Sequence, residues 1–557
     1  MKDRFDVVVV GGGTAGCILA ARLSENPSRR VLLLEAGPTD RNLFVQVPAG
    51  VKQLNAGFNW RYEAEPDASR DGVVESWAAG RLLGGGSSIN GMMWVRGHAA
   101  DYDAWAKNGC PGWDFATMEP YFRRAEHYEV GSSEFRGYAG PLHVTPVRVD
   151  HPVTDLFLEG AQKAGHPLQE DYNGAVQTGV GYSQVSQRRG WRHSTARAYL
   201  APARRRRNLT IRTGAEVLKV LMDNGRATGV MYRTGGQVHR VRAESEVVLS
   251  AGTFATPRLL MLSGIGPAAN LRESGIDVVA DVPGVGSNLQ EHPITLFLHQ
   301  LDMRTLNQEL TPGRVLRHGL DYVIRGRGAV TSPSCHAMVY AGTSDSGASR
   351  YQIMFSPFGV VGKPSATSVE DAGTDDPLGG PINHDVNAMK LLPQSSVTTY
   401  PCVLHPSSRG TVRLRAGDPT GRPVIDMQLL GERSDVREMI TAARMLRDIY
   451  AAEPLAGHVV AELKPGPDVQ SDDEWEAYLR THTFRAEHGV GTARMGSDDE
   501  AVVDPELRVR GIAGLRVADA SVFPTLVSGN TNAAVVAVAE RAADLIRQPA
   551  SIAGTVS

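Results

Sequence analysis

Val7-Val8-Val9-Val10-Gly11-Gly12-Gly13-Thr14-Ala15-Gly16, running on into Cys17-Ile18-Leu19-Ala20-Ala21-Arg22-Leu23, is the stretch on which the fold turns. Four consecutive valines suit a strand buried on both faces of a parallel sheet. Gly11, Gly13 and Gly16 have the GxGxxG spacing, and Cys17 to Leu23 reads as a helix opening behind them. Val31 to Leu34 gives a second buried strand, closed by Glu35, nineteen residues after Gly16. Each part has a mechanical use. Gly11 permits the tight turn, Gly13 lets backbone approach a pyrophosphate, and Gly16 lets the helix pack on the strand. Around Thr14 and Ala15 the helix start offers free N–H groups and a positive dipole end to phosphate. Glu35, with Ala36 behind it, is placed to accept a ribose diol. Strand, helix, strand and acid in that order predict a Rossmann-like dinucleotide-binding unit, which by itself does not distinguish FAD from NAD.

Outward from this unit, the composition is that of an ordinary globular protein: 557 residues, 42% apolar, 21% charged, net charge −3. The length predicts two to four domains at roughly 100–200 residues each. There is no basic excess to favour nucleic acid and no acidic tail. Arg204 to Arg207, between Pro202 and Asn208, is read as the solvated end of a helix. Cys17, Cys110, Cys335 and Cys402 form no CxxC pair, which indicates neither a metal site nor a disulfide framework and fits a reducing compartment. The first residues read as a strand and not as a signal peptide, and no apolar run approaches the ~18 residues of a membrane span. The expectation is a cytoplasmic protein. Arg409 to Arg415 alternates like a half-buried strand, and Glu432 to Ala451 has amphipathic-helix spacing. Gly362 to Asn387, rich in Gly, Pro, Ser and Asp, is the most loop-like stretch, either a lid or a surface connection.

Five further motifs follow in order. They are Gly80-Arg81-Leu82-Leu83-Gly84-Gly85-Gly86-Ser87-Ser88-Ile89-Asn90-Gly91, the Gly252 to Pro257 segment leading to Ser263-Gly264-Ile265-Gly266, His488-Gly489-Val490-Gly491-Thr492, Ala518-Asp519-Ala520-Ser521, and Gly529-Asn530-Thr531-Asn532. With the N-terminal unit, they resemble the signatures of the glucose–methanol–choline (GMC) oxidoreductases, the choline-dehydrogenase-like bacterial members above all. That resemblance implies an α/β fold in which a Rossmann-like FAD-binding domain (residues 1–150, 205–300 and 481–557) is interleaved with an α+β substrate domain built on an antiparallel sheet (151–204 and 301–480). It places Arg81, Gly85 and Ser88 beside the pyrophosphate and ribityl chain. Asn90, Gly91, Met92 and Met93 then lie along the isoalloxazine, Val217 meets the adenine through its main chain, and Asp519 and Ala520 reach the ribityl-phosphate region. Asn530 and Thr531 open a C-terminal helix aimed at the flavin N1–C2=O edge, with Asn530 or Asn532 as its cap. Ile89 stands where some members carry the histidine that attaches FAD covalently, so non-covalent FAD is expected. No metal is expected.

Removing hydride from an alcohol leaves a carbonyl, so the hydroxyl proton must also go, to a base within hydrogen-bond reach. Histidine suits that task. Of the 16 histidines, the HxxGT context singles out His488, and Asn530 falls at the family's second catalytic position. The expected reaction is FAD-dependent oxidation of an alcohol to an aldehyde or ketone, with His488 as base and Asn530 orienting the hydroxyl. Its partners are a small-molecule alcohol and either oxygen or an electron carrier. A redox-silent lyase and a light-driven decarboxylase are the alternatives on the same scaffold; the lyases rely on two histidines. Trp94, Phe484 and Glu487 are expected at the substrate pocket. Two residues depart from the family pattern. Gly489 replaces a proline, which loosens that loop. Glu487 replaces an aromatic residue and either binds a hydroxyl or cationic group of the substrate, or raises the pKa of His488, or turns to solvent or pairs with an arginine such as Arg485.

Overall fold

The structure is a computed structural model that describes residues 4–53, 56–131, 133–310, 312–344, 347–361 and 390–547. Arg4–Val10 is the buried strand expected from its valines, each of which is at most 2% exposed. It pairs in parallel with Val31–Leu34 on one side and Gln237–Leu249 on the other. The helix between the first two strands spans Thr14–Leu23, so it begins at Thr14 and not at Cys17, with the Cys17 N–H bonded to the Gly13 carbonyl at 3.1 Å. Leu209–Arg212 extends the parallel array beyond Val31–Leu34, and Leu515–Val517 joins it on Gln237–Leu249. Glu216–Asp223 and Arg226–Thr234 complete a seven-stranded sheet as an antiparallel meander. Ligands of such sheets bind beyond the carboxyl ends of the parallel strands.

An eight-stranded second sheet faces that edge. Its central strands, Ser396–Val403, Ser349–Ser356 and Ala337–Thr343, run antiparallel. Side chains alternate across them, as the period of two requires. Ala337, Val339, Ile353 and Phe355 pack into a core with the Arg433–Tyr450 and Pro152–Lys163 helices. Met338, Tyr340 and Met354 point the other way, into a core shared with Ile294 and Phe484. One face is thus sealed by helices and the other is left to wall a cavity. Pro293–Ile294 and all but the last residue of Phe297–Leu301, numbered within the 205–300 segment, and Phe484–Arg485, within 481–557, belong to this second sheet.

Local expectations meet mixed outcomes. The amphipathic helix is Arg433–Tyr450. The alternating strand is short, Thr411–Arg413, with Val412 and Leu414 buried and Arg413 and Arg415 exposed. The arginine run does follow a helical turn, but only half of it is solvated. Arg204 pairs with Asp40 at 2.8 Å and Arg206 donates to Ser24 Oγ at 2.9 Å, while Arg205 and Arg207 are exposed. All four cysteines are buried free thiols. Among the described residues no helix is long and apolar enough to cross a membrane. The 362–387 stretch lies outside the described residues.

Candidate active site

A cavity of about 1150 Å³ opens where Val10, Leu34 and Ser250 end the parallel strands. It exceeds the roughly 300–1,000 Å³ of a single ligand pocket, which leaves room for a cofactor and a substrate together. Gly11, Gly13, Thr14 and Ala15 line one end with Glu35, Ala36 and Val217. Gly11 has φ +95°, and a Cβ there would lie 2.5 Å from the Ser250 carbonyl oxygen. A Cβ on Gly85 would lie 2.7 Å from Gly13 Cα, so the two glycine-rich loops meet backbone to backbone. Gly16 does not line the cavity. It sits beneath the loop, where its Cβ would lie 1.8 Å from the Gly11 carbonyl oxygen, and its use is packing. Glu35 accepts the Gly12 and Gly37 N–H groups, each at 2.7 Å, and burial pushes its carboxyl up. Each oxygen of the ionised form keeps a further acceptor site for a ribose hydroxyl.

Two expected cofactor contacts, Ser88 and Arg81, are corrected, and a third, Asp519, is narrowed. The Gly85–Ser88 segment forms a tight turn that points Ser88 inward, where its Oγ donates to the Leu83 carbonyl at 2.8 Å. Arg81 lies over the Trp60 ring at 5.0 Å and leaves the cavity wall to Gly80, Gly85 and Gly86. Asp519 lines the cavity, but its carboxylate accepts from Gly252 N, Thr256 Oγ1, Ser521 N and Ser521 Oγ at 2.5–2.8 Å. That fills its four acceptor sites, so Asp519 shapes the wall and its side chain has nothing left to offer a ligand. Conversely, Arg192 was not anticipated. It is 1% exposed, lines the cavity, and hydrogen-bonds Asn90 Oδ1 at 2.8 Å and the Ser87 carbonyl at 3.3 Å. No carboxylate among the described residues pairs with it, and burial alone pulls its guanidinium down to about 9. An unpaired buried cation is strongly destabilising unless an anion joins it. A glycine cradle at a helix N-terminus, a ribose acceptor and a lone buried arginine fit the diphosphate and flavin of FAD.

At the other end Asn90, Gly91, Met92, Met93, Ala520 and Thr531 form the wall around His488 and Asn530, each 8% exposed. The second sheet decides what stands behind His488. Pro293 pairs with Arg485 and Ile294 with Phe484, and the antiparallel run continues through the Ala486 N–H to the His292 carbonyl at 3.0 Å. His292 therefore lies beside His488, with Nδ1 to Nδ1 2.9 Å apart and the rings nearly perpendicular at 86°. Asn530 Nδ2 is 2.9 Å from His488 Nε2, and Gln352 Nε2 donates to Asn530 Oδ1 at 3.2 Å. That last bond fixes the amide orientation and, with it, the tautomers assigned from the network. Asn530 donates, so His488 Nε2 carries the lone pair and His488 Nδ1 carries the proton. His292 Nδ1 accepts it, and His292 Nε2–H donates to the Leu404 carbonyl at 3.0 Å. Glu291 clamps both segments by accepting the His488 and His292 N–H groups at 2.8–2.9 Å, and burial pushes its carboxyl well up.

Burial holds the His488 imidazole down at about 4, from an ordinary 6.5, and the His292 imidazole well below that ordinary value. His488 is thus a neutral acceptor throughout the physiological range. For a monohydroxy alcohol, which makes no use of Glu487, a profile of kcat/KM against pH is expected to stay level from neutrality downward and to fall only as His488 protonates, near 4. Stability follows the same groups with a defined sign. Below 6.5 the unfolded chain binds protons that the folded chain refuses. Their contribution is complete above 6.5 and is lost as pH falls toward 4, which urea titrations at stepped pH will read.

Phe484 and Glu487 line the cavity, as expected. Trp94 does not: it is fully buried in the core, where its indole Nε1–H donates to Glu126 Oε2 at 2.8 Å. Gly489 is not a loosened hinge. A Cβ there would lie 2.8 Å from the Trp77 ring, and its carbonyl accepts Thr253 Oγ1 at 2.6 Å, so glycine makes room for a packed indole. Glu487 has φ +65°, a strained conformation for a residue with a side chain. Its Oε1 accepts Arg485 Nη2 at 2.9 Å and the Ala78 N–H at 3.4 Å, whereas Oε2 is buried with no partner. Desolvation pushes the carboxyl up to about 7, against the pull of Arg485. Neither expected asparagine caps the C-terminal helix, Asn532–Arg547. The carbonyl of Thr531 takes the first helical bond, from the Val535 N–H at 3.0 Å, which makes Thr531 the cap position. Asn532 Oδ1 instead accepts Thr14 Oγ1 at 3.0 Å, tying the two helix starts together at the cavity.

Comparison with known proteins supplies the context for this geometry. Two family models, both described as GMC oxidoreductase, match residues 5–294 and 406–539. Human mitochondrial choline dehydrogenase is 40% identical over 99% of this chain and 91% of its own length. The oxygen-dependent choline dehydrogenase of Sinorhizobium fredii is 38% identical over 98% and 96%. Among solved structures, pyridoxine 4-oxidase from Mesorbium loti superposes with a TM-score of 0.83 at 30% identity, covering 97% of this chain and 98% of that one. Formate oxidase of Aspergillus oryzae reaches 0.87 at 26% identity, covering 98% of each.

Proposed function

The chain belongs to the GMC oxidoreductase family, and from that premise we propose that its His488–Asn530 edge oxidises an uncharged alcohol with a largely apolar body. It is an FAD-dependent enzyme acting on CH–OH donors. Bound FAD supplies the hydride acceptor; Asn90 to Met93, Thr531 and the cradle at Gly11, Gly13 and Gly85 would hold it. The observation that carries the reading is the direction of the hydrogen bonds at His488. Its Nε2 lone pair and the Asn530 Nδ2–H groups share one edge of the cavity, 2.9 Å apart. An alcohol oxygen placed there gives its proton to Nε2 and accepts an Asn530 N–H, so the carbon–hydrogen bond is held in one orientation while charge develops on oxygen. His488 Nδ1–H remains donated to His292, which supports the imidazolium once it forms.

Substrate class is argued from the walls. Ile294, Met354, Phe358, Val360 and Phe484 make an apolar compartment. The carboxylate facing it, Glu487, is already held by Arg485 and is a poor partner for a quaternary ammonium such as choline. Its unpartnered Oε2 suits a second hydroxyl on the substrate. A panel of aliphatic, aryl and dihydroxy alcohols with choline, assayed both with oxygen and with an artificial dye, tests this and identifies the acceptor class. Neutral alcohols should exceed choline in kcat/KM, and a preference for choline would reject the substrate class. Replacing Glu487 with Gln should cost dihydroxy substrates roughly 10- to 150-fold, the worth of a charge-assisted hydrogen bond of about 1.5–3 kcal/mol. Glu487→Phe should shift preference toward apolar alcohols, and an unchanged order in both variants would assign Glu487 to Arg485 alone.

We also infer non-covalent FAD, because Ile89 has no nucleophile and no histidine is among the residues lining the glycine-rich end. Acid precipitation should then leave yellow flavin in the supernatant. Colour retained in the pellet would mean a covalent link.

A further inference from the structure

We propose that the Pro312–Arg325 helix docks this protein on an anionic lipid bilayer, as an interfacial helix beside the mouth of the active-site cavity. Leu316, Leu320, Val323 and Ile324 are 67%, 54%, 79% and 75% exposed. Their spacing of four, three and one places them on a single stripe of the helix. Stripes of this kind normally face a core, yet here Tyr322 turns inward instead, packing on the Trp191 ring at 4.9 Å. A second apolar patch lies on the other side of Trp191. Leu43 and Phe44, at the start of the Leu43–Gln46 turn, are 63% and 45% exposed, and Leu43 shares a surface recess with Trp191.

The charge beside both patches is basic in balance: Arg325 offsets Asp321, and Arg317, Arg327 and Arg41 add positive charge. Arg317, Arg325 and Arg327 are exposed along and just beyond the helix, and Arg41 is exposed beside Leu43. Asp321, the one acid on the helix, lies 3.5 Å from Arg325, and the nearby Glu309 is taken by Arg314 and by His318 at 3.1 Å. An apolar stripe with arginine-rich flanks on a helix of low overall hydrophobicity is the pattern of a helix lying in the plane of a membrane interface. Fourteen residues span about 21 Å at 1.5 Å each, too short to cross a bilayer.

A second copy of this chain fits the patch less well. Two-fold pairing would bring the arginines of both copies together, and six side chains fall short of the roughly 800 Å² that each partner of a stable interface buries. Lipid headgroups offer the complementary charge. The position also has a use. Leu306, in the turn before the helix, and Ala329, in the turn after it, both line the active-site cavity, as do Pro48 and Ala49 after the Leu43–Gln46 turn. Docking through these two patches sets the cavity mouth at the lipid surface, where amphiphilic alcohols and lipid-soluble electron acceptors concentrate.

The test is co-sedimentation of the full-length holoenzyme with vesicles of phosphatidylcholine alone and of phosphatidylcholine mixed with phosphatidylglycerol. Binding is expected only to the mixed vesicles, and it should weaken at about 1 M salt, where charge is screened within ~3 Å. The double variant Leu320→Glu, Val323→Glu should partition roughly tenfold or more weakly, since each buried methylene is lost from the bilayer. Arg317→Glu with Arg325→Glu should lose binding as well. Both variants should keep FAD and parent turnover of a water-soluble alcohol with a soluble dye, which separates this proposal from the catalytic one. Three results would overturn it: no vesicle binding by the parent, equal binding by the variants, or a solution dimer by light scattering that the same substitutions dissociate.

Discussion

Replacing His488 with alanine is expected to lower the rate at which alcohol reduces the bound flavin by roughly 10²–10⁴, the usual worth of a general base. The direction follows from what remains. Asn530 can still hold the alcohol oxygen, but an amide has no basic lone pair to take the hydroxyl proton. FAD should stay bound, because the glycine cradle and Glu35 lie at the other end of the cavity. Anaerobic stopped-flow bleaching of the flavin, with the flavin content measured on the same sample, separates the two effects. A reduction rate equal to the parent's would remove His488 from the chemistry; loss of flavin would instead make it part of the cofactor site.

Replacing His292 with leucine should slow flavin reduction about 10²-fold, although His292 is not among the residues lining the cavity. It is a positioning residue. His292 Nδ1 accepts the His488 Nδ1 proton at 2.9 Å and thereby keeps the other nitrogen free to act as base. Leucine removes the acceptor. His488 can then turn its proton toward Nε2, which leaves the wrong nitrogen facing the alcohol, or bury an unsatisfied N–H. Triads that lose their orienting group by such a tautomer error fall by about 10⁴; a neutral imidazole orients less strongly than a carboxylate, so a smaller loss is expected. His292→Gln offers an amide oxygen to the same proton and should recover part of the rate. A purely structural role would give no such rescue and would leave the acid limb of the pH profile in place, whereas loss of the relay should move it.

Much of the cofactor half was legible residue by residue because its demands are local. Gly11 at φ +95° and the approach of Gly85 to Gly13 are properties that only glycine meets, so spacing alone revealed them. Buried valines and a closing acid likewise declare themselves within thirty-five residues. Errors arose where direction, not identity, mattered. Ser88 and Arg81 belong to the correct loop, but a tight turn points one inward and a Trp60 face draws the other out. Trp94 has the chemistry of a pocket residue and the address of a core residue, because its N–H found Glu126. The same holds at Gly489, where the missing proline reflects the Trp77 ring, a neighbour no motif displays.

From the sequence by itself came the dinucleotide unit, the family, the flavin and the pair His488 and Asn530, since each is written in short runs whose backbone requirements are fixed by their own residues. Tertiary structure alone decided the tautomer of His488, the shared state of Glu487, the lone cation at Arg192 and the bare face of the Pro312–Arg325 helix. His292 stands 196 residues from His488, and Gln352 stands 178 from Asn530. The register of one antiparallel run, from Ile294 with Phe484 and Pro293 with Arg485 to Gln290 with Val490, brings the histidines together. A register is set by the packing of a whole sheet, and a proton's position on a ring is set by the neighbours that register delivers.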